Sequence, residues 1–79
     1  MTEHYEPDDV DRAAAVRACV LHTAASGDVE EFLRRVPAPP EAADIAEYAN
    51  LIAREQAVRA QRDAAVNLLG LRAPTVEPE

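Results

Sequence analysis

The feature that most constrains this chain is the run Pro37-Ala38-Pro39-Pro40, which no regular helix can cross. Proline lacks a backbone N–H, locks φ and pushes the preceding residue out of the helical region, so three prolines in four residues end whatever comes before them. Other punctuation is sparse. Glycine occurs only at Gly27 and Gly70, and the remaining prolines, Pro7, Pro74 and Pro78, lie towards the ends. Between these marks apolar residues recur at helical spacing, with no strand-like alternation. The spacing predicts an all-α fold.

Three helices are expected. The first runs from about Asp8 to Ala25, with Asp8, Asp9 and Asp11 in its first turn, where acids suit the positive end of the helix dipole. Gly27 suits the left-handed residue that closes a helix. Asp28, followed by Glu31, has capping-box spacing for a short second helix ending at Val36. Pro40 fits the first turn of a long third helix, which meets no glycine or proline before Gly70. The stripes Val29, Phe32, Leu33, Val36 and Ile45, Tyr48, Ile52 match in spacing and predict the core of a helical hairpin.

Along the third helix a second stripe, Leu51, Val58, Ala65 and Leu69 with Arg62 at its edge, falls at roughly heptad spacing. A two-armed hairpin leaves that stripe over, so it predicts a partner or dimer interface. The expected fold class is therefore an all-α hairpin of three helices, two short or medium and one long, pairing into a homodimer like a four-helix bundle. The expected organisation is a flexible acidic N-terminus over residues 1–7, one helical domain over 8–70 and a disordered acidic tail over 71–79.

Composition narrows the function. The chain has 79 residues and a net charge of -7, which opposes binding to nucleic acid or to an anionic membrane surface. Its single cysteine makes no internal disulfide, and the start MTEHYEPDD has neither the basic nor the apolar segment of a secretory leader, so a cytoplasmic protein is expected. No apolar run reaches the ~18 residues that span a membrane. Every basic residue is arginine. With the abundant alanine this points to a GC-rich bacterial or phage genome, and it removes lysine chemistry altogether.

Candidate chemistry is thin. Cys19 and His22 sit three apart and share a helix face, yet a metal site needs three or four ligands and none is spaced to complete it. As a nucleophile, Cys19 lacks a base and a pocket. Arg17 falls within the first helix's apolar stripe, where its methylenes cover the core while its head reaches water or pairs with Glu55. Glu55, Arg59 and Asp63 form a ladder four residues apart, read as a solvated face. No cofactor, metal or small-molecule substrate is expected, and no catalysis. The function expected is a small protein–protein interaction or regulatory module working through the third helix, with an unidentified protein partner besides its own copy. The alternative is an acidic inhibitor whose N-terminal acids (Glu3, Glu6, Asp8, Asp9, Asp11) mimic nucleic acid and occupy a basic protein.

Overall fold

In the computed structural model, residues 9–71 are described, and they fold as two helices, α1 Asp9–Arg35 and α2 Ala42–Leu68, of 27 residues each. At 1.5 Å per residue each arm is about 40 Å long. The arms run antiparallel: Phe32 lies against Tyr48 near the turn, and His22 reaches Glu55 further from it. The expected acidic N-terminus and the tail beyond Leu71 lie outside the described residues.

The hairpin has two helices, which corrects the expectation of three. The expected first and second helices are one unbroken α1, running through Ser26 and Gly27. Gly27 does not take the left-handed conformation; among the described glycines only Gly70 has positive φ. Asp28 is consequently no cap: its carboxylate accepts a hydrogen bond from Arg54 of α2 at 2.7 Å. The physical reason lies in the register. Asp11, Ala15, Ala18, His22, Ala25, Val29, Phe32 and Val36 step by four and three without interruption, and all are buried or half-buried. Gly27 falls on the opposite side of the helix, fully in solvent. Keeping a glycine in a helix costs up to about 1 kcal/mol relative to alanine. Breaking α1 there would instead take Val29, Phe32 and Val36 out of line with the rest of the stripe.

Both ends of α2 follow from local chemistry. Glu41 is the N-cap and donates its N–H to the Asp44 carboxylate at 2.9 Å, so the helix starts after Pro40 rather than on it. At the far end Gly70 (φ 82°) donates to the Asn67 carbonyl and Leu71 to that of Val66, the paired bonds of a Schellman ending.

The half-buried residues of α2 include Leu51, Ile52, Glu55, Val58, Arg62, Ala65, Val66 and Leu69. In a two-helix molecule only α1 can cover these positions. The stripe Leu51, Val58, Ala65 and Leu69, expected to be left over for a partner, is thus the inward seam of α2. Two residues expected in the hairpin core lie outside it: Leu33 is 58% exposed and Ile45 is 59% exposed. Of the others, Phe32 is buried, Val29, Val36 and Ile52 are half-buried, and Tyr48 covers Phe32 with ring centres 5.8 Å apart while remaining exposed on its outer side. The phase of α2 is therefore rotated from the expected one. Once α1 is continuous, its long stripe selects the long stripe of α2, which runs the whole arm, over the short Ile45–Ile52 stripe at one end.

The core is small. Among the described residues only Ala15, Ala18, Ala25 and Phe32 are buried, and α2 contributes none. Alanine removes little apolar surface from water, so Phe32, flanked by Tyr48 and by the Arg35 guanidinium 5.1 Å from its ring, is the one large anchor.

Two substitutions test this account by circular-dichroism melts. Phe32→Ala removes the anchor at a cost of about 3–5 kcal/mol and leaves the chain largely unfolded; an unchanged melt means the ring is not core. Gly27→Ala, at low protein concentration, stabilises by about 0.4–1 kcal/mol, because the added methyl meets no atom within 4 Å and the position is already helical. Destabilisation by Gly27→Ala would mean that the helix breaks there.

Candidate functional site

Two features stand out from the alanine-rich packing: a polar cluster set into the seam, and the outward face of α1.

The cluster forms where the register puts His22 of α1 opposite α2. His22 Nε2 and Glu55 Oε2 are 2.8 Å apart, and Arg62 Nη1 lies 3.2 Å from His22 Nδ1. Arginine is only a donor, so Nδ1 accepts from it and the imidazole proton sits on Nε2, donated to Glu55. Glu55 is gripped from the other side by Arg59, whose Nε and Nη2 donate to its two oxygens at 3.1 and 2.8 Å. Arg62 in turn donates to Asp63 at 2.8 and 3.1 Å. Every member has a partner, and the described residues contain no buried side-chain polar atom without one.

The Arg59 hydrogen bonds, and after them the bond from His22, hold the Glu55 carboxyl at about 2, below its ordinary value of 4.5, with desolvation opposing them. Glu55, expected on a solvated ladder, instead turns into the seam, where only 14% of its side chain is accessible. Arg17 does not reach it and stands exposed on the flank of α1. Ser26 Oγ is 3.5 Å from His22 Nε2, the same nitrogen that faces Glu55. A nucleophile triad needs the hydroxyl and the acid on different ring nitrogens, so this is no Ser-His-acid arrangement. What the cluster does is fix register: sliding either arm would strand the half-buried Glu55 and His22.

Cys19 is exposed and His22 faces the seam, and no three His, Cys, Asp or Glu among the described residues converge as a metal would require. The acids are also dispersed. Glu30, Glu47, Asp28, Glu55 and Asp63 pair with Arg34, Arg35, Arg54, Arg59 and Arg62 respectively. The described surface therefore carries no uniformly acidic face. Glu3, Glu6 and Asp8 of the expected mimic lie outside the described residues. No described helix is long and apolar enough to cross a membrane.

The outward face of α1 is different in kind. Arg12, Ala15, Val16, Cys19, Val20, Thr23 and Ala24, with Leu69 of α2, line an open groove of about 630 Å³ that runs from the edge of the seam at Ala15 onto the outward side of α1. Of its lining, Val16 and Val20 stand 62% and 61% exposed. A smaller apolar cleft of about 230 Å³ lies by the turn, between Phe32, Leu33, Val36, Pro40, Ile45 and Tyr48. Of the residues expected to form a partner interface, Leu51, Val58, Arg62, Ala65 and Leu69, all are half-buried towards α1. Reasoning from the sequence missed the Val16–Val20 face. The signal was present: Ala13, Val16, Val20, Thr23 and Gly27 repeat at heptad spacing on the side of α1 opposite the seam. Compared with protein families, curated proteins and solved structures, the chain shows no match.

The lowered Glu55 carboxyl sets the acid response. A depressed pKa adds stability that is complete above 4.5 and is lost as pH falls through about 2. Wild-type melting temperature should fall across that window, and the Glu55→Gln variant should lose this part of the pH dependence. Parallel pH profiles for the two proteins would show that Glu55 is not held in the seam.

Proposed function

We propose that this chain is a non-catalytic protein–protein interaction module, of regulatory or docking type, whose working surface is the outward face of α1. The observation that carries the reading is the imbalance of burial: one large side chain, Phe32, is buried, while Val10, Val16, Val20, Leu21 and Leu33 of α1 stand exposed, against Ile45, Tyr48 and Leu68 at the two ends of α2. A two-helix arm of this size gains little from its own seam, and neighbouring exposed apolar side chains such as Val16 and Val20 mark a surface that other protein covers. The reading moves the docking face from the expected third helix to α1, because the apolar stripe of α2 is occupied by α1. Its outward side offers mainly alanine, as at Ala46, Ala49, Ala53 and Ala60.

Support against catalysis comes from the polar cluster, which is internally paired and lacks a hydroxyl or thiol positioned against a free base. Nothing in the described charge distribution favours nucleic-acid mimicry, since each sign interleaves with the other along both helices.

A photo-crosslinking amino acid placed at Val20, and in a control at Ala60, tests the reading in cells of the native host. Protein adducts form from position 20 and not from position 60. Equal labelling from both positions, or none from either, contradicts it.

A further inference from the structure

We infer that the surface covering α1 is α1 of a second copy, laid antiparallel across the Val16–Val20 groove. The inference rests on the reading of this face as the docking surface and goes beyond it by naming the occupant. Reversed, the face brings a charge of opposite sign close to each of the charges at its ends. With the two-fold axis between Val20 and Thr23, each Val20 lies against Thr23 of the second copy and each Val16 against Gly27 of the second copy. Asp9 then falls against Arg34 of the second copy, and Arg12, which is five turns from Glu30 and so on the same flank, lies one residue (about 1.5 Å) out of step with Glu30 of the second copy. All eight positions are exposed in the single chain.

Charge selects this arrangement. A parallel pairing would set Asp9 on Asp9 and Arg12 on Arg12, which is repulsive, whereas the antiparallel one sets Asp9 on Arg34 and brings Arg12 within one residue of Glu30, each twice by symmetry. Glu30 and Arg34 already bond each other at 2.6 Å, so Asp9 and Arg12 of the second copy would extend that pair at both ends. Gly27 gains a reason. Within one chain its missing side chain serves no contact, since a Cβ there meets nothing within 4 Å. Opposite Val16 of another copy, the absent side chain lets the two backbones approach. Two helices about 40 Å long, touching along one face, bury on the order of 1,000 Å² in total, the size of a weak interface. The dimer therefore dissociates on dilution.

Sedimentation equilibrium across a wide concentration range tests the pairing, with circular dichroism confirming helix content for each protein. Wild type is expected to dimerise at high concentration and dissociate on dilution. Gly27→Gln improves helix propensity in the monomer yet fills the site of Val16, so it should weaken association about tenfold or more with the helix retained. Arg12→Glu should weaken it several-fold, and adding Glu30→Arg should restore it, because the reversed pair is again complementary. A wild type that stays monomeric at millimolar concentration, a dimer indifferent to Gly27→Gln, or a double reversal that fails to rescue Arg12→Glu each overturns the antiparallel pairing. The docking reading fails separately. Adducts to another protein from position 20, with a monomeric wild type, leave docking standing and remove self-pairing. A dimer whose adducts from position 20 are only to itself supports both readings and names the second copy as the occupant.

Discussion

The structure depends on a single seam, and the seam is thin. The apolar contact between α1 and α2 runs along one heptad stripe on each helix, with Ala15, Ala18 and Ala25 buried in it and Phe32 near the turn. Alanines let two helix axes come close and gain dispersion contacts, but they bury little area, so the hydrophobic term per residue is low. An elongated hairpin also has a poor ratio of covered to exposed surface. The consequence is a molecule whose shape is well specified and whose stability is small. Specification without surplus stability suits a part that completes its folding on another surface.

The polar cluster supplies the specification that alanine cannot. An alanine seam is nearly featureless, and one arm could slide by a heptad with little loss of packing. His22, Glu55 and Arg62 make such a slide expensive, because each is half-buried and each satisfies another. Arg35 with Glu47 and Asp28 with Arg54 repeat the instruction at the surface, though exposed pairs contribute at most about 1 kcal/mol each. In the proposed pairing the outward face of α1 obeys the same logic: Val20 and Thr23 at its centre, Gly27 for approach, and an acid and a base at each end to set direction.

How much of this was legible in the sequence differs from element to element. The proline run announced the turn, the helical spacing announced the class, and Gly70 announced the end of α2. Gly27 misled. Glycine marks a helix end only when the chain needs the left-handed conformation there, and the test is whether the apolar stripe keeps its phase across it. Asp11, Ala15, Ala18, His22 and Ala25 run in phase with Val29, Phe32 and Val36, so the stripe was continuous and the glycine incidental to it. Treating the helix as broken hid that continuity, and the rest followed. With the helix broken, His22 reads as half of an incomplete pair with Cys19, Glu55 as a solvent residue, and Leu51, Val58, Ala65 and Leu69 as a surface open to a partner. Local spacing places Ile45 and Leu33 in the core, but it does not tell which of two stripes on a helix will face its neighbour. That choice belongs to the whole arm.

The central claim is that this hairpin is stabilised by covering the face that its own seam leaves open. The most direct measurement is the midpoint of thermal unfolding as a function of protein concentration. Coupling between folding and self-association requires the midpoint to rise steadily with concentration, because only the folded state is drawn into the dimer. A midpoint that stays high and constant from low micromolar to millimolar protein would show that two alanine-lined helices are stable alone, and would contradict the account.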